Sequence, residues 1–338
     1  MKLDAFPLEF QGAMPILRKL QSKNYEAYYV GGSVRDILLN KPIHDVDIAT
    51  SAFPAEVKEL FHRTIDVGID HGTVMVITKE ATYEVTTFRT ESTYQDYRRP
   101  DHVEFVRSLK EDLKRRDFTI NALAVGIDGT VIDLFDGLAD LRNKVLRAVG
   151  DPYERFHEDA LRMMRALRFV SQLGFTLEPD TFEAIQEYHS LLAKISVERI
   201  NVEFVKLMMG SSREAGLHSL VESECYIYCP GLREYGEALL NFAELRGPAI
   251  PTERQAWTLL MMMLDLNSAD IRHFMKEWKC SNQLIREVTQ MVPALQLRLK
   301  QGWDSWTLYQ LGRELALSVE FVLFYFDLEP YLEKVRLL

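Results

Sequence analysis

The sequence predicts a chain in two parts: a head of mixed strands and helices, α/β or α+β, followed by a remainder that is nearly all helical. Three observations predict it. Up to about residue 125, short apolar runs of strand length alternate with helical patterns. From about Tyr153 onward strand patterns vanish, and Leu161, Met164, Leu167 and Phe169 mark the apolar face of a helix with several more behind it. Between the two lies Gly150-Asp151-Pro152, a natural boundary.

Within the head, residues 8–22 read as an amphipathic helix and residues 27–30, AYYV, as a short strand ending at Gly31-Gly32. Residues 33–39 carry apolar positions at helical spacing, and residues 45–49 alternate polar and apolar, the pattern of a half-buried strand. Pro54 opens a helix to about His62. Residues 64–68, 73–78 and 82–88 read as further strands, with turn chemistry at Asp70-His71-Gly72. Gly210-Ser211-Ser212 and Arg246-Gly247-Pro248 break the helical blocks that follow.

At 338 residues the chain has room for two or three domains and a sizeable core, and its 47% apolar and 27% charged residues are ordinary for a globular protein. No run of 18 or more apolar residues occurs, so no membrane span is expected, and the acidic N-terminus lacks a secretory signal core. Three cysteines are too few and odd in number for a disulfide framework, which points to a reducing cytoplasm. Cys225 and Cys229 have no second pair or nearby His to complete a zinc site. A net charge of −10 counts against a uniformly basic nucleic-acid binder, yet Arg98 to Arg116 holds seven Lys or Arg against four Asp or Glu.

The chemistry concentrates at two places. On a strand, Asp45 and Asp47 project to the same face, while Val46 and Ile48 point into the core. Two adjacent carboxylates repel unless a cation lies between them, and Mg²⁺ favours carboxylate and phosphate oxygens together. Upstream, Gly31-Gly32-Ser33-Val34-Arg35-Asp36 follows a strand and opens a helix. Paired glycines let backbone amides approach a phosphate, and Arg35 can reach the same anion as a fork. Neither GxxxxGK[ST] nor GxGxxG occurs.

The stretch GGSVRDILLNKPIHDVDIAT resembles the first motif of the DNA polymerase beta nucleotidyltransferase superfamily, and more closely the class II tRNA nucleotidyltransferases and bacterial poly(A) polymerases. The resemblance runs from about residue 25 to 210. It implies an α+β fold with a mixed-sheet head and an all-helical neck and body. It makes Asp45 and Asp47 ligands of two Mg²⁺ ions, and Gly32 and Arg35 binders of nucleotide phosphate. Glu84, on a strand-like run, is a candidate third acid or a plain strand glutamate. Residues 111–124 resemble the family's RRDxxxNA motif: Arg116 is expected on phosphate, and Asp117 and Asn121, four apart on a helix face, on the ribose hydroxyl.

Residues 157–169 resemble the EDxxR motif, in which side chains stand in for a template. Asp159 and Arg162, three apart on one helix face, offer the acceptor and donors that the Watson–Crick edges of C and A require, with Glu158 orienting Arg162 four residues on. Arg165 and Arg168 resemble further nucleotide-contacting arginines. Asp133 to Gly137 and Asp140-Leu141 look like the family's hinge motif, and Ser196 to Ile200 like a segment bracing the base-reading helix. Residues 89–106 resemble the flexible loop of enzymes that complete the terminal A.

The implied activity is template-independent addition of CCA to the 3′ end of tRNA from CTP and ATP, releasing pyrophosphate. A poly(A) polymerase, an enzyme that adds CC only, and a catalytically silent RNA-binding relative remain the rival readings. The expected division is a catalytic head at 1–150, a neck at 151–210 and a helical body at 211–338 whose tail is short or truncated.

Overall fold

The computed structural model describes residues 1–68, 71–94, 100–328 and 330. The chain divides into two compact units, Met1–Asp159 with Leu177–Thr181, and Ala160–Thr176 with Phe182–Leu338. The division falls after Asp159, and one short stretch further on returns to the first unit.

The first unit runs α1 (Leu8–Gln21), β1 (Ala27–Val30), α2 (Gly32–Leu38), β2 (Asp47–Thr50), α3 (Pro54–Leu60), β3 (Thr64–Gly68), β4 (Thr73–Ile77), β5 (Thr82–Thr87), β6 (Arg89–Tyr94), β7 (Pro100–Phe105), α4 (Leu109–Lys114), β8 (Leu123–Val125), β9 (Val131–Asp133), α5 (Gly137–Asn143) and α6 (Pro152–Glu158). Seven strands form one sheet of order β3-β4-β5-β2-β1-β8-β9. β2 pairs antiparallel with β1 and parallel with β5, so the sheet is mixed, as the α+β reading requires. In α1, Phe10, Ala13, Ile16, Leu17 and Leu20 recur at helical spacing and are all buried. The Phe10 ring stacks on Tyr29 of β1 at 4.3 Å, and the Tyr29 hydroxyl donates to the Phe10 carbonyl at 2.8 Å. A second cluster joins Val30, Ala49, Phe88, Leu109, Leu113, Ala122, Ala124 and Val149.

The stretch 89–106, expected as a loop, is a hairpin over much of its length: β6 and β7 pair antiparallel from Arg89↔Phe105 onward. Residues 95–99 of that stretch, and Asp70 of the turn expected at 70–72, lie outside the described residues.

The second unit contains α7 (Leu161–Leu173), most of α8 (Pro179–Tyr188), α9 (Val197–Met208), α10 (Arg213–Glu222), α11 (Gly236–Ala243), α12 (Glu253–Met263), α13 (Ser268–Glu277), α14 (Asn282–Gln301) and α15 (Ser305–Val322), the last interrupted at Gly312. α7 packs closely on its neighbours. The Ser171 hydroxyl donates to the Leu207 carbonyl of α9 at 2.6 Å, and a Cβ on Gly216 of α10 would lie only 2.5 Å from that of Ser171. Phe204 stacks on Trp278 at 4.6 Å, and Trp257 meets Trp278 edge-on at 5.2 Å. Among the described residues no helix is long and apolar enough to cross a membrane.

Candidate active site

β1 ends at Val30 because Gly31 turns the chain with φ 73° and ψ −140°, a conformation that a side chain resists. A Cβ there would lie 3.2 Å from Nη1 of Arg116 and 3.5 Å from Oδ2 of Asp47. Gly31 is therefore the point where the acidic strand and the basic motif meet. One turn into α2, Arg35 donates from Nη1 to Oδ1 of Asn121 at 2.8 Å, and its Nε and Nη2 grip the Asp36 carboxylate at 2.9 and 3.0 Å. The fork expected to face an anion is thus also tied to its sequence neighbour and to the second motif.

The acids are arranged differently from the expectation. β2 begins at Asp47, opposite Val30, the last residue of β1, so Asp45 precedes the strand and is exposed. The premise that Asp45 and Asp47 lie two apart on one strand is corrected: the turn at Gly31 leaves Asp45 no ladder partner on β1. Glu84 is directly opposite Asp47 in the parallel β2–β5 ladder. Burial, then the charge of Glu84, push the Asp47 carboxyl above its usual range; Arg116 pulls it partly back and Asp45 adds to the rise. The donor chemistry, carboxylate oxygens beside an anion-binding turn, fits a hard divalent cation. Among the described residues only Glu214, His218 and Glu244 have ligand atoms that already converge within 4.8 Å, and two of these three are exposed.

Asp117 and Asn121 do come together, but not on an α-helix. Phe118 is extended and fully buried, and only Thr119–Asn121 form a single 3₁₀ turn. Oδ1 of Asp117 accepts from the Phe118 amide at 2.8 Å and from Nδ2 of Asn121 at 3.0 Å. Arg116 donates from Nη2 to Oδ2 of Asp112 at 3.2 Å and from Nη1 to the Asn121 carbonyl at 3.4 Å, while its buried Nε has no hydrogen-bond partner among the described residues. Burial alone would raise the Asp112 carboxyl, but Arg115 and Arg116 hold it below the usual range. The segment resembling a hinge acts within this unit as a brace. Asp133 caps α5 through the Gly137 and Leu138 amides, both at 2.9 Å, and the Thr119 hydroxyl donates to buried Asp140 at 2.6 Å.

The helix expected over 157–169 is two helices. α6 ends at Glu158, Asp159 is extended at φ −135° and ψ 101°, and α7 starts at Leu161. Residues 160–164, including Arg162, are all buried, so core packing rather than an amphipathic face governs the start of α7. Asp159 and Arg162 therefore do not share a helix face. Glu158 pairs with Arg155 at 2.5 Å. In the second unit, Arg168 lies 4.2 Å over the Phe169 ring and 3.0 Å from the Glu203 carboxylate of α9, and Arg165 lies 5.7 Å from the same ring. Asp36, Asp112 and Glu203 are partners that reading the motifs alone misses. Spacing offers a signal for one of them, since Asp112 stands three and four residues before Arg115 and Arg116.

Residues 27–147 match the family model of the poly(A) polymerase head domain. Residues 174–235 match a probable RNA- and SrmB-binding site of polymerase A, and residues 249–335 a putative tRNA nucleotidyltransferase domain 2. The chain is similar to the CCA-adding enzyme of Enterococcus faecalis, 59% identical over 99% of this chain and 83% of that one, and to that of Limosilactobacillus fermentum, 53% identical over 93% and 78%. Among solved structures, the Bacillus stearothermophilus CCA-adding enzyme in complex with CTP superposes with a TM-score of 0.91 at 45% identity, covering 98% of this chain and 82% of that one. A tRNA nucleotidyltransferase complexed with a primer tRNA and an incoming ATP analogue superposes at 0.69 and 27% identity, over 95% of this chain and 96% of that one.

Proposed function

The chain belongs to the bacterial CCA-adding enzymes, the class II tRNA nucleotidyltransferases, and from that premise we propose how its residues divide the work. The enzyme adds C, C and A to the 3′ end of tRNA, with CTP and ATP as donors and pyrophosphate as the leaving group. Residues 1–150 are the catalytic head, 151–210 the neck that carries the base-selecting residues, and 211–338 the helical body. The tRNA substrate implies a cytoplasmic enzyme.

Asp45 and Asp47 hold two Mg²⁺ ions, with Glu84 as the third acid. When bound, the ions neutralise the triphosphate and make the primer 3′-hydroxyl a better nucleophile. The backbone at Gly31-Gly32, with Arg35 and Arg116, holds the phosphates in line with that hydroxyl, so most of the acceleration comes from positioning and charge. The orphaned Nε of Arg116 is a buried donor that a phosphate oxygen would satisfy. Asp117 and Asn121, hydrogen-bonded to each other at the start and end of the segment that makes the 3₁₀ turn, take the ribose hydroxyl. The motif assigns the base edge to Asp159 and Arg162, with Glu158 orienting and Arg165 and Arg168 supporting.

The observation that carries this reading is the β2–β5 register, which puts Glu84 beside Asp47 at the turn where Arg116 ends. Single-turnover extension of a tRNA lacking CCA, with CTP binding measured in parallel, tests it. Asp47→Asn is expected to slow extension by about a thousandfold while CTP still binds, and Glu84→Gln to slow extension by about tenfold or more. Full activity in Asp47→Asn would refute the assignment.

A further inference from the structure

Asp112 is a fully buried carboxylate that the transfer reaction itself does not use, and it stands at the junction of the basic motif. Its Oδ1 takes Nη2 and Nε of Arg115 at 2.8 and 3.0 Å, and its Oδ2 takes Nη2 of Arg116 at 3.2 Å. The two arginines differ in what else they have. Arg115 also meets Glu91 at 3.2 Å. Arg116 has no other carboxylate within 4.0 Å among the described residues. Yet Arg116 is close to the acids. Its Nη1 and Oδ2 of Asp47 are 3.2 and 3.5 Å from one point, the Cβ position of Gly31, so the two side chains can be no further apart than those distances together. A guanidinium that near a carboxylate is drawn to it unless something holds it.

We propose that Asp112 is a positioning residue that holds Arg116 back from Asp47, leaving the acids open to cations and Arg116 open to phosphate. Asp112 supplies the counter-charge that Arg116 would otherwise take from Asp47. Remove that charge and Arg116 pairs with Asp47, competing directly with the metal. The inference rests on the metal-site reading above and extends it to a residue that touches neither substrate nor cation.

The test is a Mn²⁺ titration of the full chain without nucleotide, read by the electron paramagnetic resonance signal of free Mn²⁺, with a thermal melt of each variant. Asp112→Asn is expected to weaken Mn²⁺ binding by about tenfold, the scale of one opposite charge arriving within a few ångströms of the carboxylate. Asp112→Asn/Arg116→Met is expected to recover binding at least as tight as wild type, because the competitor is gone. A merely structural role for Asp112 would lower the melting temperature of both variants without that recovery. Unchanged Mn²⁺ affinity in Asp112→Asn, or a double variant as weak as the single, would overturn the inference. If Asp112→Asn does not fold, Asp112→Ser takes its place in the same titration: weaker Mn²⁺ binding than wild type, recovered by adding Arg116→Met, supports the proposal, and unchanged binding overturns it. Asp47→Asn separates the two levels. Wild-type Mn²⁺ binding that survives this change overturns the metal-site reading and the inference with it; binding lost there but untouched in Asp112→Asn overturns the inference alone.

Discussion

In the second unit Arg298 meets Glu320 at 2.8 Å in the core between α14 and α15, and the Trp303 indole donates to the same carboxylate. In the first unit Asp47 faces Glu84 across a strand ladder, while the Arg116 guanidinium near them pairs with Asp112 instead. The Arg298–Glu320 pair matches its buried charges locally and ties α14 to α15. The sheet unit leaves like charges together at the edge of its core and so stores repulsion that a cation can relieve.

The largest effect that sharpens this contrast is expected at Asp47. Asp47→Asn should cost about a thousandfold in transfer rate yet raise the melting temperature of the metal-free protein at pH 8. The folded pKa of Asp47 is raised, so its ionised form costs stability above that value. The gap between variant and wild type should therefore close as pH falls through the raised value toward the ordinary carboxylate range. Melting curves across pH check the sign, and a variant less stable than wild type at pH 8 would contradict it.

Next is the counterpart in the second unit. Glu320→Ala leaves Arg298 and Trp303 without their shared acceptor and should destabilise that unit by about 3–5 kcal/mol. Urea denaturation reads the loss, and the transfer rate per folded molecule should stay unchanged.

Much of this was legible in the sequence, and the limits have physical causes. The helix expected at 8–22 is Leu8–Gln21 and the strand at 27–30 is Ala27–Val30, because each signal is local periodicity or a glycine stop. The strands at 64–68, 73–78 and 82–88 recur within a residue of their expected bounds. What periodicity missed depends on tertiary pairing. Whether Asp45 joins β2 is decided by where β1 ends, and residues 157–169 form two helices because the backbone is extended at Asp159, which side-chain periodicity does not mark. Glu84 stood undecided because nothing in a single strand reveals which residue lies opposite on its parallel neighbour, 37 positions away in the Asp47↔Glu84 pair.

A smaller effect probes the turn between the acids and the bases. Gly31→Ala forces a Cβ into a positive-φ backbone and against Arg116, a strain of about 1–3 kcal/mol. It should raise the KM for CTP more than it lowers kcat, which steady-state extension measures. The smallest effect lies in the second unit, where burial pushes the Cys225 thiol up to about 12 and, with Cys225 nearby, raises Cys229 as well. Neither thiol should react with a disulfide reagent at pH 8 until the protein is unfolded, as absorbance of the released thiolate will show.

The central claim is tested most directly by incubating the protein with Mg²⁺ and a tRNA transcript lacking its 3′ CCA, supplied with CTP alone, ATP alone, or both. Two residues of C from CTP, followed by a single A only when ATP is also present, is the expected result. A long A tail from ATP alone, or addition that stops at CC with both nucleotides present, would contradict it.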